Sequence, residues 1–486
     1  IGAMFVYSEE YWHTRSTGAS RNDRIHPSTS EINSALTNVQ SNSGSSASEG
    51  LRSYIGRMNY SAYDKYLLEF SFRVDGSSKF IKGHQYGFFP TVAVGWRFTE
   101  EEFLKKYLSS WLSSGKLRAS WGKLGDNSGV GRFEQLETLT AMNYMSSDVV
   151  KGFVNKKMIN KDLSWEVSTD INVGLDLGFL NNRLRTEIDF YNRLRTGMNR
   201  PSQMSIHLTG AYSAPRANIG DLLNRGLELN LTWKDKIGNV EYSVNLNGAY
   251  NRTVLKEWNE FLSRGWVYLD MPYHFLYVYE NNGIAQTWQD IYNNTPQGLS
   301  PGDVIRKDLN GDGIIDGKDK KAYPNIQRDR PTTTYGITLQ AAWKGFDISM
   351  LFNGGLGRKD FWLTDFNNTA FADRRYASTW DHWTEPWSLE NRGGEWPRLG
   401  TSTDRSDNSY WLYNMNYLRM KNIMLGYNLP KKLLSKISMT NLRIYASAEN
   451  LFTVTQYPGL DPEKKNSARD LYPINRSFSI GLNVSF

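Results

Sequence analysis

The chain has no cysteine among its 486 residues. That excludes a disulfide framework, a thiolate metal site and a cysteine nucleophile, and it suits an oxidising compartment where stray thiols are avoided. No stretch approaches the roughly 18 consecutive apolar residues of a membrane helix, so helical spanning is excluded. No long run of one charge occurs: 57 basic and 50 acidic residues, for a formal charge of +7, are spread along the chain. We read this as solvated faces and expect no nucleic-acid partner. Histidine is sparse, with 6 residues, none paired at metal-ligand spacing; His382 stands alone among tryptophans. Phosphate-cradling glycine loops and Ser-His-Asp elbows are absent, and "GLGR" (355–358) is too short to carry meaning. The run Glu100-Glu101-Glu102 reads as a helix start, where the dipole favours acids. Nothing points to an enzyme or an organic cofactor. There is no signal peptide, and a start at Ile1 inside the alternating "IGAMFVYSEEYW" reads as a cut into a longer protein.

What is present is period two. At the C-terminus Phe478, Ile480, Leu482, Val484 and Phe486 alternate with Ser479, Gly481, Asn483 and Ser485. Tyr66–Val74, Val167–Phe179, Leu184–Phe190, Leu227–Trp233, Val240–Tyr250 and Tyr335–Trp343 follow the same rule. Each is therefore a strand with one apolar and one polar face. The segment Tyr417–Tyr427 breaks the rule near Asn422, which suggests a bulge. Short turns, with Asn181-Asn182 and Lys344-Gly345 as tight-turn pairs, alternate with long polar stretches near 13–50, 125–163, 196–217, 256–331, 356–414 and 456–474. "FTEEEFLKKYLSSWL" (98–112) predicts a small helix within one short connection.

Two architectures produce such strands. A soluble sandwich or propeller buries its apolar faces. An outer-membrane barrel turns them to lipid, with a polar lumen, short periplasmic turns and long outer loops. Charges opposite the apolar sets, strands of ten or more residues and aromatics near strand ends (Tyr66, Trp96, Trp121, Trp165, Trp233, Trp343) favour the barrel. We count about fourteen strands, an even number as such barrels require. Val173, Leu175, Leu229, Val244 and Leu482 should face lipid; Asp176, Glu228, Asn245 and Asn483 should face the lumen. The fold class is thus all-β, a transmembrane antiparallel β-barrel.

Several stretches go beyond architecture. "YIGRMNYSAYDKYLLEFSFRVDGSSKF", "YGFFPTVAVGWRFTEEEF", "LRASWGKLGDN", "DLSWEVSTDINVGLDLGFLNNRLRTEIDFYNR", "NRGLELNLTW", "YLRMKNIMLGYNLPKKLL", "LRIYASAENLFTVTQYPGLDPE" and "SFSIGLNVSF" occur in that order. Together they resemble the C-terminal half of SusC/RagA-type TonB-dependent transporters, from Leu51 onward. The resemblance implies that residues 1–486 are the C-terminal part of a 22-stranded barrel, without its plug domain, TonB box and N-terminal strands. It also implies a bacterial outer-membrane location and active import of an oligosaccharide or oligopeptide. A SusD-like surface lipoprotein would act as lid, and TonB-ExbB-ExbD would supply energy through the missing N-terminal part. In such a fragment the strand near Gly2–Tyr11 should not pair with Phe478–Phe486. The rivals are a complete fourteen-stranded passive porin, in which those two strands must pair, and a secreted soluble glycan-binding β protein.

Two local motifs carry chemistry. "DLNGDGIIDGKD" (308–319) spaces Asp308, Asn310, Asp312, the Ile314 carbonyl, Asp316 and Asp319 as a calcium loop does, with Gly313 at the turn. We expect a structural Ca²⁺ there; the alternative is a solvated, metal-free Asn/Asp/Gly turn. The last ligand is Asp rather than the longer Glu, and flanking helices are not evident. "YASTWDHWTEPWSLENRGGEWPRLG" holds Trp380, Trp383, Trp387 and Trp396, either as platforms for substrate or lid, or as packing for the loop's own core.

Overall fold

A computed structural model gives the architecture. It describes every residue except 24, 25, 27, 36–39, 109–110, 146–148, 156, 210–213, 261–267, 274, 362–384, 399–406, 435–438, 465–473 and 486. Trp380, Trp383, His382 and Phe486 lie outside the described residues.

Fourteen strands form one antiparallel sheet, each pairing with the next of the set: β1 (Gly2–Arg21), β2 (Gln40–Ala62), β3 (Tyr66–Ser77), β4 (Tyr86–Trp96), β5 (Leu112–Asp126), β6 (Glu166–Phe179), β7 (Leu184–Thr196), β8 (Asp221–Ile237), β9 (Val240–Glu257), β10 (Thr333–Trp343), β11 (Phe346–Leu356), β12 (Tyr417–Asn428), β13 (Asn441–Thr455) and β14 (Ser477–Ser485). Among the described residues no helix is long and apolar enough to cross a membrane. Among the described residues β1 pairs only with β2 and β14 only with β13, so the two outer edges of the sheet are not paired with each other there.

Register turns the period-two pattern into two continuous surfaces, because a slip of one residue would move a whole strand's apolar set to the other face. One row of directly opposed residues runs Trp233, Val244, Leu339, Met350, Ile423, Ala448, Phe478. The row on the opposite face runs Lys116, Asp176, Glu187, Asn230, Asn247, Gly336, Asn353, Arg419. Val173, Leu229 and Leu482 all remain exposed on the apolar face rather than entering a closed core. On the polar face a cavity of about 530 Å³ is lined by Arg57, Glu69, Lys116, Arg118 and Asn172.

The bulge expected near Asn422 is present. Lys421 is the extra residue against β11, and the register of β12 with β13 shifts at the same place, where Asn450 and Leu451 oppose it. The tight turns are left-handed, with φ of 57° and 61° at Asn181 and Asn182, and 48° and 91° at Lys344 and Gly345. Tyr63 and Asp64 form a third such turn, at 52° and 55°.

The connections alternate in length. Those at 63–65, 97–111, 180–183, 238–239, 344–345 and 429–440 lie at one end of the sheet; the other end carries 78–85 and the longer connections. Two expectations need correction. The polar stretch 13–50 is mostly strand: β1 and β2 stay paired out to Arg21 and Gln40, with Ser16–Ser45 and Ser20–Ser41 hydroxyl bonds of 3.0 and 2.6 Å. A hairpin wetted on both faces has no reason to alternate, so its strands read as loop. Trp165 is not a rim aromatic. It packs against Phe80 and Phe89, with ring centroids 5.2 and 5.5 Å apart, and donates its indole N–H to the Gln85 carbonyl.

Candidate functional site

The functional surface has two parts: the polar face and the canopy of connections over its long-loop end. On the polar face charges are matched across strands. Arg118 donates to Asp176 and Asp189 at 2.7 and 2.9 Å, Arg57 to Glu69 at 2.6 Å, Arg193 to Asp170 at 2.6 Å and Arg443 to Asp347 at 2.5 Å. A water-lined face carries these ions because the solvent and the partner together replace the hydration each loses. A second cavity on this face, of about 670 Å³, is lined by Lys234, Ser243, Gln340 and Asp347.

The canopy is built the opposite way, around a buried core. Leu276 and Val278 come from the 258–332 connection, Phe361, Trp411 and Met415 from 357–416, and Tyr457 from 456–476. Trp396 stacks on Trp411 with centroids 6.5 Å apart. Trp387 is 7% exposed and donates its indole N–H to Gln286 at 2.9 Å. Both described tryptophans of the predicted set thus pack within the connections. Burial pushes the Tyr413 phenol up to about 12, with the Glu395 charge adding to it.

Two buried arginines tie these segments together, and neither was evident from spacing. Arg358, inside the dismissed "GLGR", is 2% exposed and donates to the carbonyls of Arg328, Pro462, Glu463 and Lys464 at 3.0–3.1 Å. Burial pulls its guanidinium below the ordinary arginine value, with Asp360 opposing. Arg419 on β12 donates to Asp461 at 2.8 Å, with both side chains 2–3% exposed, and to Thr453 at 2.8 Å. "DPE" (461–463) was legible as part of a resemblance; its partner 42 residues earlier was not.

The loop 308–319 is folded on its own N–H groups. Asp308 accepts from Gly311 and Gly313 at 2.7 and 2.9 Å and from the Thr295 hydroxyl at 3.0 Å. Asn310 accepts from Asp312, Asp312 from Ile314 and Asp316 from Lys318, at 3.0, 3.0 and 2.8 Å. Asp319 is fully buried and accepts from Leu309 and Asp316 at 2.9 and 2.8 Å. The Asp316 N–H is the foremost of the groups holding its carboxyl below the usual range. Among the described residues no three acidic or imidazole side chains gather closely enough to hold a metal. The loop joins the canopy through Lys320–Asp407 at 2.9 Å and the Tyr277 hydroxyl on the Gly317 carbonyl at 3.0 Å.

Comparison with known proteins agrees with this geometry. The family model described as "TonB dependent receptor-like, beta-barrel" matches residues 5–451. TonB-dependent receptor P3 of Formosa agariphila is 30% identical over 476 residues, covering 90% of this chain and 45% of the relative. TonB-dependent receptor SusC of Bacteroides thetaiotaomicron is 30% identical over 456 residues, covering 90% and 44%. The RagAB peptide transporter structure superposes with a TM-score of 0.80 over all of this chain and 53% of that one, at 23% identity, which establishes a shared fold. The chain spans less than half the length of the curated relatives it matches.

Proposed function

The chain belongs to the TonB-dependent receptor β-barrel family, and on that premise we propose that it is the C-terminal wall of an active nutrient importer. Its place is the bacterial outer membrane, and its similarity to SusC agrees with the SusC/RagA-type resemblance of the sequence. The observation that carries the proposal is the two-faced sheet with unpaired outer edges. Unpaired backbone in hydrocarbon costs several kcal/mol per group, so β1 and β14 are met by strands from chain outside this sequence. A lumen of about 22 strands is too wide to stand open and is plugged. Moving the plug takes work, which TonB-ExbB-ExbD supplies. The substrate is an oligosaccharide or oligopeptide, delivered under a SusD-like lid. The tryptophan-rich stretch that holds Trp380, Trp383, Trp387 and Trp396 meets lid or substrate, with Trp387 tied to Gln286 and Trp396 stacked on Trp411. The test is uptake of labelled oligosaccharides and oligopeptides by cells making the full-length protein, before and after a protonophore collapses the proton-motive force. Loss of uptake on uncoupling is expected. Unchanged uptake would mark a passive porin, and recovery of the protein in buffer without detergent would mark a soluble binder.

For the loop 308–319 we propose a structural Ca²⁺ held by Asp308, Asn310, Asp312, the Ile314 carbonyl, Asp316 and Asp319. What supports it is the donor set, six hard oxygens at calcium-loop spacing. Terbium luminescence sensitised by nearby aromatics and displaced by Ca²⁺, and lost in Asp312→Asn, is the expected result. An unresponsive loop at millimolar Ca²⁺ refutes it.

A further inference from the structure

The connection 97–111 contains a helix, Glu102–Leu108, and it folds back over the apolar face of the sheet. Three contacts establish this. Phe98 packs edge-on against Trp96, centroids 5.9 Å apart, and its ring covers Gly115 so closely that a Cβ there would lie 2.3 Å from it. Glu101, 8% exposed, accepts from the Tyr66 hydroxyl at 2.5 Å and the Trp96 indole at 3.2 Å, with Lys65 at 3.3 Å. Trp111 stacks on Phe179 at 5.9 Å. Tyr66, Trp96, Gly115 and Phe179 all belong to the apolar-face rows of their strands, continuous with Leu68, Val94 and Leu177. Both ends of the helix are therefore fastened to the surface that meets lipid, at the short-turn end.

The helix matches that position. At 100° per residue, Phe103, Tyr107, Leu104 and Leu108 occupy one arc, and Lys105, Glu102 and Lys106 the opposite one. Leu104 and Leu108 are half-buried, whereas Phe103 and Tyr107 are 64% and 74% exposed. Two large aromatics left bare beside a lysine pair suit a membrane interface, where ring bodies sit among acyl chains and ammonium groups reach phosphates.

We propose that helix 102–108 is an interfacial anchor embedded in the phospholipid leaflet on the periplasmic side. Phe103 and Tyr107 enter the headgroup–acyl boundary, and Lys105 and Lys106 lie toward phosphate and water. Glu101 is the clamp that sets its depth, because its carboxylate fixes the chain to two rim aromatics. This rests on the barrel reading above, and the experiment separates the two. The chain has no native cysteine in this portion, so single cysteines label cleanly once any elsewhere in the full-length protein are replaced. Spin labels are placed at Phe103→Cys, Tyr107→Cys, Lys105→Cys and Leu229→Cys of that protein in phosphatidylethanolamine/phosphatidylglycerol vesicles. Their accessibility to oxygen and to a water-soluble nickel complex is then measured. The expected order is Leu229 deepest, Phe103 and Tyr107 at headgroup–acyl depth, and Lys105 aqueous. Leu229 in lipid with Phe103 and Tyr107 as aqueous as Lys105 overturns the anchor and leaves the barrel standing. Leu229 in water overturns both. In Glu101→Gln, the Phe103 label should become at least several-fold more mobile while the Leu229 label does not change; equal spectra remove Glu101's role.

Discussion

The wall and the canopy are built from one chain on opposite principles. In the wall the apolar side chains point away from the protein, and Val173, Leu229 and Leu482 stay exposed on its outer face. The matched charges lie on the other face, as with Arg118, Asp176 and Asp189. In the canopy Trp411 and Met415 are at most 2% exposed, in an ordinary core assembled from three separate connections. The wall derives its order from backbone ladders and its solvent from outside, so its side chains need satisfy only a face. The canopy has short ladders of its own and must earn its order by burial.

Several variants break or sharpen this contrast. The largest effects belong in the canopy. Trp411→Ala should cost about 3–5 kcal/mol of local stability. Arg419→Met, which strands the buried Asp461 carboxylate, should cost a comparable about 3–5 kcal/mol. Hydrogen exchange should show the canopy opening while β6–β9 stay protected; simultaneous loss of both would mean the two regions are one cooperative unit. On the wall, Leu229→Arg near the bilayer midplane should cost about 2–4 kcal/mol in refolding from denaturant into vesicles, whereas the lumen-facing Glu228→Arg should cost far less. Equal costs would erase the distinction between the faces.

The canopy also carries a pH test. Asp319 has its folded value depressed by backbone N–H groups, foremost that of Asp316. Its contribution is therefore complete above the ordinary aspartate range of about 4 and is lost as pH falls through the lower folded value. Protease cleavage within 309–319 should rise below that range while the wall is unchanged. The smallest effect is expected at the exposed pair Lys236–Glu241, 2.9 Å apart at the short-turn end. Its removal should shift stability by about 0–1 kcal/mol, measured in the same refolding assay.

The sequence by itself determined the wall. Alternation over Val167–Phe179 or Val240–Tyr250 names a strand with one apolar and one polar face, because a two-residue period has only one geometric reading, and the charges opposite the apolar sets point the one to lipid and the other to a lumen. The extra residue near Asn422 was legible as a break in that period, and Asn181-Asn182 as a turn through the left-handed tolerance of Asn. What escaped was whatever lacked a period. The β1–β2 hairpin beyond the membrane is wet on both sides, so nothing selects alternation there. Arg358, Arg419 and Asp461 hold together segments tens to a hundred residues apart, and no local spacing encodes such a meeting. Glu101 read as a helix-start acid, a property of its neighbours in the chain. Only the fold brought it to Tyr66 and Trp96, because a side chain's burial and partners are set by which distant strand lies beside it.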